Sequence, residues 1–447
     1  MQFCKSAVGP LALFLFVSGV CIAQAQSQKT AQTSQPATGF NQVIQTNAQQ
    51  MMLEGQKTFR YDTFGDEVFW GDTLHLHQAI AGEKNGGVGP GVSPKTALSV
   101  GLKVDADAIP AAVAAKIKAG QVNLDDPATT LALLKMNAVV GVTGFFDAQG
   151  KIKSIGIQCA FCHSTVNDSF APGIGQRLDG WANRDLNVGA IVSLAPNLQP
   201  FSDLLGVDVA TVKKVLASWG PGRFDAELDK DGKAFRPDGK QAGTLIPPAF
   251  GLAGVNLHTW TGFGSVPYWN AYVGVTEMHG SGTFFDARLA EKGQYAVSAR
   301  SGESNMHGSP DRTTSKLAAL HFYQLAIPAP KPPAGSFNQA AATAGKALFD
   351  GKAKCATCHT PPLFTEPGNN LHTPTEVGVD AFQADRSPTH MYRTAPLAGL
   401  WSHQKGGFYH DGRFATLEDV ITHYNSFLNL SLSDQEKKDL VEYLKSL

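Results

Sequence analysis

The chain has 447 residues, enough for two or three domains. Its 37 Lys and Arg residues against 38 Asp and Glu leave a formal charge of -1, which excludes the cationic surface that nucleic-acid binding needs. With 43% hydrophobic and 17% charged residues it can bury a core, and its 46 glycines and 25 prolines predict long ordered loops between helices.

Residues 1–25 read as a secretory signal: Lys5 gives a positive start, Leu11 to Val20 a short apolar run, and Ala23-Gln24-Ala25 a cleavage site. The run is too short to span a bilayer, so no transmembrane span is expected after signal removal, and the mature chain is expected to be periplasmic or secreted. Residues 26–45, rich in Gln, Ser, Thr and Ala, are expected to form a disordered linker. Residues 46–150 form an N-terminal extension with no assignable role. Its aromatic stretch Phe59 to Ala81 includes His75 and His77, both read as structural. Two helices are expected in it: one from Pro110 to just before Gly120, the other capped by Asp126, with Pro127 in its first turn, reaching Met136. Val139–Phe146 and Ile152–Gln158 read as strands of a hairpin around Asp147-Ala148-Gln149-Gly150, delivering the chain to Cys159.

Of six cysteines, Cys4 and Cys21 fall in the signal. The other four are Cys159, Cys162, Cys355 and Cys358, in two C-x-x-C units followed immediately by His163 and His359. A disulfide framework gives no reason for a histidine at that position, and paired zinc ribbons lack it. C-x-x-C-H is the attachment signature of c-type haem: two thiols add to the two vinyl groups as thioethers, and the adjacent imidazole ligates the iron. Two covalently bound haem c groups are therefore expected, on Cys159, Cys162 and His163 and on Cys355, Cys358 and His359.

Residues 151–330 are read as a first haem domain. Its clear helix lies near Asp208 to Trp219, and Asp229-Lys230-Asp231-Gly232 is read as a turn because the later acidic ligand of a calcium-binding loop is missing. The proline-rich segment Ile327 to Pro333 marks a boundary, and residues 331–447 are read as a second haem domain. Ala341, Ala344, Leu348 and Phe349 form a helical stripe, with Gly345 permitting close helix crossing, just ahead of Cys355. Thr416 with Asp419 opens a further helix whose stripe is Leu417, Val420, Ile421, Tyr424 and Leu428. Ser433 with Glu436 opens the last helix, which buries Leu440, Val441, Leu444 and Leu447. The fold class expected is mainly α: two cytochrome c-like haem domains, long ordered loops, a small β-hairpin and the N-terminal extension.

Tyr392-Arg393-Thr394-Ala395-Pro396-Leu397, then Phe408-Tyr409-His410-Asp411-Gly412 and Ala415-Thr416-Leu417-Glu418, resemble the bacterial di-haem cytochrome c peroxidase superfamily. That superfamily includes MauG-type enzymes, which oxidise a partner protein, and more distantly rubber-oxygenase-like di-haem proteins. The resemblance is strong over residues 338–447 and holds in outline over 155–300. It implies a sixth ligand for the second haem fourteen residues after His410, at Tyr424, where peroxidases carry Met and MauG-type enzymes Tyr; Met391 and His423 are the alternatives, and so is a plain core role for Tyr424. The resemblance also implies an open face on the first haem, with Glu277 as its acid/base group and Trp260 between the haems. Met278 or His279 would instead close that face and leave an electron carrier. Lys405-Gly406-Gly407 replaces the family's calcium-binding stretch, so no calcium site carries over. The resemblance implies peroxidase-like chemistry, with H2O2 or a redox partner protein meeting the first haem. The alternatives are a non-catalytic di-haem electron-transfer cytochrome and a di-haem oxygenase acting on a small organic substrate.

Overall fold

The computed structural model describes residues 38–447, so the signal and residues 26–37 of the linker lie outside the described residues. The chain divides after Thr46 into a short N-terminal unit and a body, Asn47–Leu447. Residues 40–45, expected to be disordered, instead open the helix Phe40–Tyr61. No Pro or Gly occurs between Phe40 and Glu54, so once this helix is nucleated each further residue extends it at little cost.

The body is mostly helical. Among the described residues its strands form five two-stranded sheets and no closed barrel. Helices Ala111–Lys118 and Pro127–Lys135 form where the capping signals place them, with the Asp126 carboxylate accepting the Ala128 N–H at 2.9 Å. Val142–Phe146 pairs antiparallel with Ile152–Ile157, and the Asp147 carboxylate accepts the N–H groups of Gln149 and Lys151 at 3.1 and 2.8 Å to close the turn. The first strand starts three residues later than expected. Val139 bridges to Val104 instead, and Gly141, at φ +81°, turns the chain between the two pairings.

Helix Val209–Trp219 takes its cap from Asp208, which accepts the Thr211 N–H at 2.6 Å. Asp229–Gly232 belongs to a turn, as expected, but a buried one. Leu228–Asp231 is a short helical turn in which Lys230 is fully buried and Asp231 nearly so, because both side chains have charged partners in the interior.

Two cores dominate. The larger joins Trp70, Leu74 and Leu133 to Ile155, Phe161 and Trp219, so the region before the first motif shares one interior with the region after it. Trp70 donates its Nε1–H to the Met278 carbonyl at 3.0 Å across the same interior. Asp179 ties three further segments together: it accepts from Arg60 Nε and the Tyr323 hydroxyl at 2.5 Å each, and from the Ser164 hydroxyl at 2.8 Å. The second core holds Phe349, Leu400, Ile421, Leu440, Val441 and Leu444. It is built by helices Gln339–Asp350, Leu417–Phe427 and Asp434–Lys445, the last two opened by capping boxes at Thr416/Asp419 and Ser433/Glu436.

The first and last of these three helices cross at Gly345, where a Cβ would stand 2.0 Å from the Asp439 carbonyl oxygen. A backbone atom cannot yield as a side chain can. Gly345→Ala is expected to destabilise the protein by about 1–3 kcal/mol, read as a lower midpoint in denaturant unfolding.

Candidate haem-binding cavity

Both C-x-x-C-H motifs sit on short helical turns: Ala160–His163 directly after the hairpin, and Cys355–Thr357 after helix Gln339–Asp350. Gly141 lies against the first turn so closely that a Cβ would stand 2.2 Å from the Phe161 backbone. No disulfide joins any of the four cysteines. Burial pushes the Cys159 and Cys162 thiols up to about 12 and Cys355 to about 11, and raises Cys358. These surroundings favour uncharged sulfur, the state it keeps in a thioether.

The two histidines are prepared alike. His163 Nδ1 lies 3.2 Å from the Pro247 carbonyl and His359 Nδ1 lies 3.2 Å from the Phe364 carbonyl. A carbonyl can only accept, so each Nδ1 carries the proton and each Nε2 keeps its lone pair, the arrangement in which an imidazole ligates a metal. Burial lowers the pKa of His163 to about 4 and that of His359 in the same direction, so both rings are neutral at physiological pH.

One continuous cavity of about 820 Å³ is bordered by the cysteines and histidine of both motifs. That volume lies in the upper part of the range for small-molecule and cofactor sites, about 300–1,000 Å³, and the wall is predominantly apolar. Several polar atoms buried in the wall lack any partner, among them Glu277 Oε1, His258 Nδ1, His403 Nδ1 and His410 Nε2. An apolar cavity with unsatisfied polar edges and two neutral imidazoles suits a large planar group carrying its own polar substituents, as haem does. The residues present therefore fit the cofactor that the motifs imply.

The structure brings Trp260, Glu277 and Tyr424 to this cavity as well. Trp260 donates its Nε1–H to the Leu245 carbonyl at 3.0 Å, while its own carbonyl accepts the Arg393 N–H at 2.9 Å. The Leu245 N–H in turn donates to the His410 carbonyl at 2.7 Å. Trp260 is thus held where the segments around residues 245, 393 and 410 meet. Glu277 follows helix Val266–Val275 and lies close enough to Cys162 for its charge to raise that thiol. Burial, reinforced by the neighbouring Asp229 carboxylate, pushes the Glu277 carboxyl well above the usual carboxylate range; Lys230 opposes the shift.

Tyr424 lines the cavity together with Leu417, Val420, Ile421 and Leu428, so the apolar stripe of helix Leu417–Phe427 forms cavity wall along its length. Its hydroxyl lies near Cys355 and Cys358, and burial raises its pKa. Neither Met391 nor His423 borders the cavity; the His423 ring instead stacks parallel to Phe427 at 5.8 Å. Met278 and His279 are part of the wall, the His279 ring stacked on Phe69 at 3.5 Å and 21°. His75 and His77 do not border it. Lys405 pairs with Asp185, placing a cation in the stretch where the family's calcium-binding residues would stand.

Sequence reasoning missed Lys230, Asp229, Arg184 and Arg393. The last two are guanidiniums on the cavity wall with an unpartnered Nε, and burial lowers the pKa of each to about 10. No periodicity marks them, because they stand on loops and their burial comes from contacts distant in sequence.

No protein-family model matches the chain. Two curated proteins match parts of it. The methylamine utilization protein MauG of Methylorubrum extorquens is 32% identical over 120 residues, covering 23% of this chain and 33% of that protein. The cytochrome-c peroxidase IdrP1 of Denitromonas iodatirespirans is 27% identical over 188 residues, covering 30% of this chain and 50% of that protein. The chain thus spans between a third and a half of the length of these relatives. Among solved structures, a MauG-like protein associated with microbial copper homeostasis overlaps 52% of this chain and 78% of its own at 18% identity and a TM-score of 0.31. Kuenenia stuttgartiensis hydrazine synthase overlaps 30% of this chain and 55% of its own at 24% identity and a TM-score of 0.21. Across the stretch it shares with the curated relatives, this chain is related to the MauG and di-haem cytochrome c peroxidase superfamily.

Proposed function

We propose that this chain is an exported di-haem c-type cytochrome acting as a peroxidase-like oxidoreductase, with residues 151–330 and 331–447 as its two cytochrome c-like haem domains. The observation that carries the reading is the single apolar cavity bordered by both C-x-x-C-H motifs, with Glu277 on its wall near Cys162 and Tyr424 on its wall near Cys355 and Cys358. When bound, haem supplies the redox-active iron that the side chains lack. Cys159 and Cys162 anchor the first group and Cys355 and Cys358 the second, while His163 and His359 each offer a neutral Nε2 to iron. Tyr424 presents its hydroxyl to the second group; as tyrosinate it is a hard anionic donor that favours the ferric state. Trp260, fixed by its two backbone hydrogen bonds to Leu245 and Arg393 on the cavity wall, would couple the two groups. Glu277 takes or gives a proton at Oε1, which has no other partner. The substrate at the first site is H2O2 or an oxidisable redox partner protein, and a partner protein exchanges electrons at the second. No helix among the described residues is long and apolar enough to cross a membrane.

The deciding experiment is electron paramagnetic resonance of the half-reduced holoprotein combined with peroxide turnover. An open coordination position and turnover are expected; exclusively six-coordinate low-spin iron with no turnover overturns the proposal. Tyr424→Phe is expected to abolish the tyrosinate signature of the second haem in resonance Raman spectra while leaving haem content unchanged, and an unaltered signature removes Tyr424 from the ligand set. Glu277→Gln keeps the shape of the side chain but not its proton, and is expected to lower peroxide turnover by about 10²- to 10⁴-fold in steady-state assays.

A further inference from the structure

The turn Leu228–Asp231 places Lys230 in an unusual position. Its ammonium lies 4.0 Å from the ring centroid of Tyr272, 5.0 Å from that of Trp269 and 5.5 Å from that of Phe263, and it donates to the Ala226 carbonyl. Asp229 Oδ1 and Glu277 Oε1 each stand 4.0 Å from the same nitrogen. The rings exclude water and attract the cation through their negative faces. An ammonium so buried keeps its charge only beside an opposite one, and two carboxyls compete for that place.

The surrounding charges are unbalanced. Arg386, a second buried cation beside the same turn, is taken by Asp225 at 2.9 Å and by Asp231 at 2.8 Å. Lys230 is left to face Asp229, Glu277 and Glu303, and Glu303 also accepts from the Tyr272 hydroxyl at 3.5 Å. Three carboxylates cannot all ionise around one ammonium in a dry interior, so protons remain among them. Several members of the group border the cavity, and Asp229 and Glu277 each have an unpartnered oxygen; Glu277 is the one whose charge reaches Cys162 of the first motif.

We propose that Lys230 is the positioning residue of Glu277: its caged ammonium, equidistant from Asp229 and Glu277, offsets one negative charge on that pair of carboxyls and no more, so that a single proton is shared between them and Glu277 stands at the cavity edge as a proton-donating acid with Asp229 as its counterpart. The pair of carboxyls loses or gains only the shared proton. The inference rests on the proposed function for the use of that proton, but not for its presence. The groups facing Glu277 are Asp225, Glu227, Asp229 and Lys230 on the neighbouring turn, Tyr272 on helix Val266–Val275, and Cys162 of the first motif. Burial and the Asp229 charge, which raise the Glu277 carboxyl, agree in direction with the geometry.

Infrared difference spectroscopy of the full-length, haem-loaded protein tests this. Subtracting the spectrum of Glu277→Gln from that of the unsubstituted protein isolates the protonated carboxyl stretch of Glu277, which is then followed against pH. The stretch is expected to be present at pH 7. Lys230→Met removes the opposing cation and is expected to raise the midpoint of its loss by about one pH unit or more, a tenfold gain in proton affinity, while Lys230→Arg restores it. Asp229→Asn removes a repelling charge and is expected to lower the midpoint by a similar amount. Absence of the Glu277 stretch at pH 7 in the unsubstituted protein overturns the proposal even if the lysine variants fail to fold, and so does an unchanged midpoint in folded Lys230→Met. The measurement uses no peroxide, so a protein that keeps the carboxyl proton but shows no turnover would refute the peroxidase reading alone.

Discussion

The arrangement rests on two matched hydrogen bonds, one from each motif histidine to a backbone carbonyl: Pro247 for His163 and Phe364 for His359. Each fixes an otherwise free ring, chooses its tautomer and leaves the other nitrogen as a donor pair for a metal. Both carbonyls belong to loop residues, so the loops must be held rigidly by what surrounds them. The Pro247 segment is held through Leu245 and Ile246, which donate to the His410 and Gly222 carbonyls at 2.7 and 2.9 Å. The Phe364 segment is held by Thr365, whose hydroxyl donates to the Thr394 carbonyl at 2.5 Å. The glycine- and proline-rich composition thereby finds its use: the loops carry the carbonyls that orient His163 and His359, and the helices brace the loops.

Charge is distributed unequally around the cavity. Arg184 and Arg393 lie on its wall with no carboxylate partner among the described residues, while a carboxyl-rich cluster that includes Glu277 gathers where Lys230 and Arg386 are the buried cations. Buried charge without a partner costs several kcal/mol, so such an arrangement makes sense where a bound group completes it. Haem carries two carboxylates of its own, which unpaired guanidiniums can meet. The acid-rich side instead retains protons. The chain's near-neutral total charge hides this internal polarity.

Much of the scaffold is legible in the sequence because its signals are local. Asp126, Thr416 and Ser433 cap helices whose first residues follow at once, and Gly345 marks a crossing that a neighbouring side chain would block. The C-x-x-C-H units show their chemistry through spacing alone. What was not legible depends on contacts between distant residues. The stripe of helix Leu417–Phe427 has the period of a buried face, and periodicity does not distinguish a face packed on protein from one lining a cavity. Asp229-Lys230-Asp231-Gly232 has the composition of a solvated turn. Only Phe263, Trp269 and Tyr272, more than thirty residues further on, make Lys230 an interior group. Likewise, Val139 leaves the hairpin because Val104 competes for its backbone.

The shared interior of the region before the first motif and the region after it bears on how the molecule is assembled. Trp70 reaches Met278 across 208 positions of sequence, and the pocket around His163 is closed by segments that must all be in place together. The pocket around His359 is assembled largely from three helices within the last hundred or so residues. Bringing remote segments together costs more chain entropy before any contact rewards it, so the short-range pocket forms early and the long-range one late. As the chain folds, Cys159 and Cys162 would therefore stay accessible for longer than Cys355 and Cys358, an order in time set by chain topology.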